Sequence, residues 1–398
     1  MEQPYTILRD MTRSRTREPV GGAGGGTGPA LPAEPRIERA SLAKRQVRDI
    51  ARDPEVRAVA PVMPTSLVRP VADGPGAGHA GDEVVDGTTW GVAAVGADAS
   101  ARTGADVVVA VLDTGIDSAH PAFVGVDLVQ QDFSGSGDGD RQGHGTHVAG
   151  TVLGRDVDGV RIGVAPGVTQ ARIGKVLGDD GSGDSDMLFR GIQWAVGQGA
   201  QVISMSLGFD FPGLVAYLVE KGWPVDLATS RALEAYRGNL RMFDALMAMI
   251  TSQEAFTGGT LVVAASGNES RRQENPDHEI GVSLPAAAER VISCGALGQG
   301  AEGLVVAPFS NTFPQVAAPG VGVVSARAGG GLVALNGTSM ATPHAAGIAA
   351  LWWQDVLESP LPSTATTVTA RMLAHASVTD LAADVDVADR GVGLVRAP

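Results

Sequence analysis

The chain has 398 residues, 44% apolar and 19% charged, enough to bury a large core and too apolar for wholesale disorder. Its 54 glycines follow no G-X-Y period, which excludes collagen, and a formal net charge of −14 argues against a nucleic-acid surface, which needs clustered Lys and Arg. The lone cysteine, Cys294, excludes an intrachain disulfide and a Cys-rich metal site, so stability must come from packing.

In chain order, residues 1–50 carry nine basic and six acidic side chains, so the excess negative charge lies further on. Met1 to Arg17 has four Arg and no apolar run after them, unlike a secretory signal. The longest nearly apolar stretch, Ala345 to Trp353, is nine residues, well short of the roughly 18 that span a bilayer. The expected location is therefore cytoplasmic, or outside the cell without a recognisable signal peptide, with neither membrane nor nucleic acid as a partner. Tyr5 to Leu8 reads as a strand. Ile37 to Arg52 reads as a helix with Leu42, Val47 and Ile50 on its apolar side, stopped by Pro54 before an extended Glu55 to Val62. Gly21 to Pro29 and Val71 to Gly87 are spacers by composition.

From Asp106 onward, Val- and Ile-rich strands at Val107 to Leu112, Ala171 to Val176, Gln201 to Leu207, Leu261 to Ala265 and Val291 to Gly295 alternate with helical segments. Ser185 to Gly197, Ser339 to Trp353 and Val368 to Ala376 are the expected covering helices. This order predicts an α/β fold with a parallel sheet.

Three segments place a reactive side chain at a strand end or helix start among small residues. VVVAVLDTGID delivers Asp113 at the C-terminal end of a buried strand, where open α/β sheets bind ligands. GHGTHVAGT sets His144 between glycines at a helix start, and NGTSMATPHAAG sets Ser339 after a glycine turn. Singly, an Asp after a strand or a Ser before a helix is usually a cap. Together they supply a nucleophile, a general base and an acid able to orient that base. His144 and His147 could share a helix face as a metal pair, but no third ligand stands at a recognisable spacing, so no metal site is assigned.

In these segments, and in KVLGDDGSG, ISMSLG, VVAASGN and GVGLV, which follow the same order, the sequence resembles the subtilisin-like serine proteases (subtilases) from about Trp90 to Ala397. The resemblance implies a three-layer subtilisin-like fold with a mainly parallel central sheet and a small N-terminal pro-region-like module. The division is then residues 1–70 as a reduced propeptide-like module with a Gly-rich spacer, 71–89 as a linker or processing segment, and 90–398 as the protease domain. It further implies peptide-bond hydrolysis through an acyl-enzyme: Ser339 attacks, His144 moves the proton, and Asp113 holds the imidazole. The oxyanion hole is formed by the Asn268 amide and the Ser339 N–H. Gly181, Ser182 and Gly183 form one wall of the cleft and Ser206, Leu207 and Gly208 the other, with the polypeptide substrate added as a strand. A catalytically silent peptide-binding or scaffold protein on the same fold is the alternative. An α/β-hydrolase esterase fits less well, since GTSMA is not its nucleophile elbow.

Other residues near these motifs have plainer expectations. Asp179, Asp180 and Glu269 are expected to place negative charge near the cleft, favouring basic substrate residues, or to be solvated loop charges. His120, His147 and His344 are expected to pack with hydrogen bonds, Cys294 to be an inert buried thiol, and Met340 to be oxidation-sensitive if it faces the cleft.

The sequence departs from the family pattern in three places. No cofactor is needed for the chemistry, and the calcium that many members bind, through a loop after the His helix and an acid after the Asp motif, meets Ala122 at the acid's position. Asp156 and Asp158 remain for a weak or rearranged site. The stretch from Gly208 to Leu261 is longer than usual, giving an insert at about 209–259. In it Leu233, Tyr236, Leu240, Phe243, Met247 and Ile250 mark one face of a helix beginning near Asp226. That face is expected to pack on the protease body, with self-association as the alternative, and Phe209 to Pro212 to form a lid over the specificity pocket. The N-terminal module keeps only the last helix and strand of a propeptide.

Overall fold

The computed structural model describes residues 2–12, 33–71 and 84–398; Gly21–Pro29 and most of Val71–Gly87 lie outside them. Strand alternation organises the body. Along Val108–Asp113, Val109 and Val111 enter one apolar cluster while Ala110 and Leu112 enter another on the opposite face. A strand buried on both sides needs helices on both sides, which gives three layers. The eight-stranded sheet runs Gly303–Val306, Val291–Gly300, Leu261–Ala265, Val202–Met205, Val108–Asp113, Gln170–Lys175, Asp127–Asp132, with Val316–Pro319 also paired to Val291–Gly300. All pairings are parallel except the hairpin formed by Gly303–Val306.

The covering helices follow the pattern read from the sequence. His144–Leu153 and Thr338–Leu357 pack on one face. Ser185–Gly197 and Val225–Ser252 pack on the other, where Phe243 meets Phe189 at 4.7 Å and Phe209 at 5.9 Å between ring centroids. The expected strand Gln201–Leu207 divides at Ser206: Val202–Met205 stays in the central sheet and Leu207–Phe209 turns into a smaller one. Of the expected lid, Phe209 is buried against Phe243 and the Asp210 N–H donates to Pro64 O; the residues after these begin a helix, Phe211–Glu220, capped by Asp210. On the insert helix Phe243, Met247 and Ile250 are buried, and Leu233 is 38% exposed.

Residues 35–42 are a strand, contrary to the helix expected from Ile37. Pro35–Leu42 pairs antiparallel with Gln3–Asp10 along its whole length, and only Lys44–Ile50 is helical. The apolar spacing of Leu42, Val47 and Ile50 suited a helix, but partner strands on a neighbouring chain segment decided the backbone. Val56–Pro61 completes the sheet. Tyr5, Ile7 and Leu42 form its outer core with Val47 and Ile50, whereas Leu8, Ile37 and Ala60 join the core of the body.

Candidate active site

Two glycine contacts bring Asp113 and His144 together. A side chain at Gly145 would collide with the Gly115 carbonyl and one at Gly115 with the Gly139 carbonyl, so the helix start can lie directly on the turn that follows Asp113. His144 Nδ1 lies 2.8 and 3.0 Å from the two Asp113 carboxylate oxygens, with the side chains 1% exposed. Asp140, which sequence reasoning missed, supports this pair. Its carboxylate accepts the N–H groups of Gly143 and Thr146 and the hydroxyls of Thr114 and Thr146, and the Thr114 hydroxyl in turn accepts the Gly145 N–H. The available signal was a carboxylate shortly before a helix start, where the first turn has unpaired donors.

Ser339 is fully buried in the first turn of Thr338–Leu357. Beside it, the Asn268 side-chain oxygen accepts the Thr338 N–H at 2.9 Å and hydroxyl at 2.8 Å, which leaves the amide nitrogen aimed into the cleft. Any side chain at Gly337 would meet that nitrogen at 3.0 Å.

An extended segment of the chain's own N-terminal part occupies the groove. Pro64–Leu67 lies antiparallel between Ser182–Asp184 and Leu207–Phe209, with Ser66 opposite both Ser182 and Gly208. Five of the six residues expected on the walls contact or pair with this segment, and Ser206 lies beside the serine. Gly181 O accepts the Leu67 N–H at 2.9 Å; Ser182, Gly183, Leu207 and Gly208 stand in the two ladders; the Ser206 hydroxyl donates to Ser339 O at 3.1 Å. The strap, Pro64 to Val71, then passes the serine. Ser339 Oγ donates to Val68 O at 2.7 Å, Asn268 Nδ2 donates to Arg69 O at 3.0 Å, and the Val71 N–H donates to Asn336 O at 2.8 Å. A hydroxyl has one proton to give. With that proton on Val68 O, His144 Nε2 has no hydrogen-bond partner among the described residues.

The Val68 side chain is buried beside Gly208 and Ser283. The next residue, Leu284, is tied at both backbone groups: its N–H donates to the Tyr236 hydroxyl of the insert helix at 3.1 Å, and its carbonyl accepts from Phe209 N–H at 3.1 Å. Burial raises the Tyr236 pKa. The insert therefore reaches the pocket wall from behind.

Asp179 and Asp180 do lie at the cleft, lining a hollow of about 470 Å³ with Asp184. Asp179 is paired to the Lys175 ammonium at 2.6 Å. The hydroxyl and N–H of Ser182 hold Asp180 below its usual carboxylate range, with a smaller contribution from the Arg69 charge. The Glu269 carboxylate is engaged by the Asn311 amide at 2.6 Å.

The remaining histidines are held by packing and backbone carbonyls: His120 by Gly331 O, His147 by Val323 O and Val333 O, His344 by Met340 O. Burial lowers the pKa of His147 to about 3 and that of His344 to about 4. Met340 is fully buried, and burial pushes the Cys294 thiol up.

Asp156 and Asp158 are the carboxylates left for a calcium site. Asp158 and Gly159 form a tight turn with φ of 53° and 79°, between Val157 and Val160, which bond to each other. Asp156 and Asp158 are both exposed, and among the described residues no three His, Cys, Asp or Glu converge on a metal position. Two guanidinium groups from the loop engage carbonyls around it. Arg155 donates to Leu153 O and Val168 O at 2.9 and 3.0 Å, and Arg161 to Ala97 O at 2.9 Å.

A cleft that closes on an extended chain as a third strand, and presents that chain's carbonyl to a serine at a helix start, defines a serine peptidase. The subtilase family model matches residues 104–393, and the chain belongs to that family. Among its relatives, subtilisin E of Bacillus subtilis (strain 168) is 31% identical over 342 residues, covering 82% of this chain and 74% of the relative. Subtilisin Savinase of Lederbergia lenta is 34% identical over 292 residues, covering 70% and 91%. The major intracellular serine protease of Bacillus subtilis (strain 168) is 34% identical over 256 residues, covering 62% and 68%. The protein is a subtilisin-like serine endopeptidase acting on polypeptides. Among the described residues no helix is long and apolar enough to cross a membrane.

Proposed function

We propose that Ser339, His144 and Asp113 carry out peptide-bond hydrolysis in this endopeptidase. Ser339 Oγ adds to the scissile carbonyl carbon and its proton passes to His144 Nε2. Asp113 accepts the Nδ1–H throughout and stabilises the imidazolium. The carbonyl oxygen, now an anion, takes hydrogen bonds from Asn268 Nδ2 and the Ser339 N–H, the latter at the positive end of a 20-residue helix. Collapse breaks the C–N bond, the His144 proton leaves with the amine, and water repeats the sequence to free the acid. The observation that carries this reading is the 2.7 Å hydrogen bond from Ser339 Oγ to the carbonyl of a strand-paired segment. Fluorophosphonate labelling and peptide hydrolysis, both lost in Ser339→Ala, are the expected result; labelling at another residue would overturn the assignment.

The N-terminal module is a self-occluding pro-region. Ser339 and Asn268 engage different carbonyls of the strap, Val68 and Arg69, so nucleophile and oxyanion donor do not act on one bond. That suits an inhibitor cut slowly, at Val68–Arg69, better than a substrate. Mass spectrometry during incubation should show an intact chain of low activity, then a product beginning at Arg69. An intact chain with full activity would make the module a permanent stabilising element instead.

Arg155 and Arg161 stand in for calcium, and the protease works without it. The buried thiol of Cys294 and the likeness to a relative described as intracellular suit a reducing compartment, the cytoplasm. The buried face of the insert helix serves the protease body more than self-association.

A further inference from the structure

The two halves of the cleft carry opposite charge. Before Val68, the hollow beside Ser182 is lined by Asp179, Asp180 and Asp184; Lys175 pairs with Asp179 at 2.6 Å and Arg39 with Asp184 at 2.8 Å from outside the lining, which among the described residues leaves Asp180, held by Ser182, as its unpaired carboxylate. After Val68, the strap crosses a second cavity of about 260 Å³, where Pro70 and His144 face Arg141, Arg327, Val333 and Leu335 and no acid lines the wall. The side chain of Arg141 is 82% exposed and reaches Asp179 only at 3.4 Å. Arg327 donates its Nε–H to Gly330 O at 3.0 Å, and among the described residues it forms no ion pair. Pro70 puts an apolar ring into this cavity and offers the guanidinium groups nothing.

We propose that this cavity is a subsite for an acidic side chain, and that the preferred substrates are polypeptides with Asp or Glu at the first or second residue after the cleaved bond. The proposal rests on the protease reading, because the strap's direction past Ser339 defines which side of the bond the cavity serves. Its floor, Val333 and Leu335, takes the methylene stem, and Arg327 takes the carboxylate as a planar two-donor partner, with Arg141 adding charge at the rim. The acidic hollow on the other side makes the cleft a dipole that orients such a chain and disfavours the reverse pattern.

The test has two arms. In peptide hydrolysis, substrates differing only in Asp, Asn or Lys at those positions should rank in that order in kcat/KM, with about tenfold between the ends, each sign contributing roughly two- to fivefold as exposed pairs do. High salt should compress the ranking and Arg327→Glu should invert it. In the full chain without added substrate, Pro70→Asp should slow, and Pro70→Lys quicken, amide hydrogen exchange across residues 64–71 relative to Pro70→Asn, again inverted by Arg327→Glu. The same ranking for all three side chains, or one untouched by Arg327→Glu, would overturn the subsite. The exchange arm needs no turnover, so loss of Ser339-dependent hydrolysis would overturn the protease reading separately.

Discussion

Two regions meet at the hydrogen bond between Ser339 and Val68, and they are held in different ways. Asp113, His144 and Ser339 sit on elements buried on all sides, with Asp140, Thr114 and Thr338 fixing their backbones by short polar contacts. The strap is held by two ladders of three residue pairs each, and Arg69, just beyond them, is exposed. Such a ladder opens locally at far lower cost than a buried sheet. On the proposed reading, a rigid machinery with a removable occupant is what an internal inhibitor requires.

The sharpest way to break this contrast is Ser339→Ala, because the hydroxyl belongs to both regions. Turnover should fall about a million-fold, a scale set by a subtilisin. Strap exchange should quicken only severalfold, since one hydrogen bond is worth about 1 kcal/mol. Equal effects on the two would mean that the strap is part of the rigid body.

Acid should separate the regions next. His147 and His344 lie in the body, with pKa values lowered by burial to about 3 and about 4, while residues 1–78 contain no histidine. Below pH 6.5 the unfolded chain takes up protons that the folded chain refuses, so the body loses stability as pH falls from about 6.5 toward about 4 and 3. By pH 4 the loss should approach about 3 kcal/mol per histidine. Thermal melts from pH 7 to 4 should show it, and His344→Gln should flatten the profile. An unchanged slope would remove the buried neutral histidine as its cause.

Asn268→Ala should lower kcat by about 100- to 1,000-fold, a magnitude also known for a subtilisin, with KM little changed. It also removes the donor to Arg69 O, so the same variant should label faster per active serine if the strap is the barrier. Arg155→Ala should lower stability by about 2 kcal/mol, the order of one charge-assisted hydrogen bond, by freeing the Leu153 and Val168 carbonyls. The melting temperature of the parent should be the same in EDTA and in millimolar calcium. A calcium-dependent rise would show that the two guanidinium groups leave room for an ion.

The segments that carry Asp113, His144 and Ser339 were legible because each is local. A strand end, a helix start and a glycine turn each carry one reactive side chain, and Leu261–Ala265 and Ser185–Gly197 follow directly from apolar periodicity. The Ser182 and Gly208 walls came through resemblance alone. What escaped was non-local. Pro35–Leu42 is a strand because Gln3–Asp10 lies beside it, and Pro64–Leu67 has too little length or alternation to announce a strand inserted between two others. Asp140 was legible only as a carboxylate before a helix start, because its partner Thr114 comes from a separate segment. The Tyr236 hydroxyl, 48 residues before its partner Leu284, was read only as part of an apolar stripe.

The smallest expected effect lies where module and insert touch. Asn239, fully buried on the insert helix, donates to Ala235 O at 2.9 Å in its own helix and to Pro61 O at 2.9 Å, three residues upstream of the strap. Asn239→Ala leaves the Pro61 carbonyl without that donor, worth about 1 kcal/mol, or roughly fivefold in the equilibrium between docked and released strap. Fluorophosphonate labelling of Ser339 should quicken by that factor while turnover of a saturating peptide stays the same, since no catalytic group moves. If instead the melting temperature falls and labelling does not change, Asn239 supports the helix alone, and the insert does not set how tightly the protein covers its own cleft.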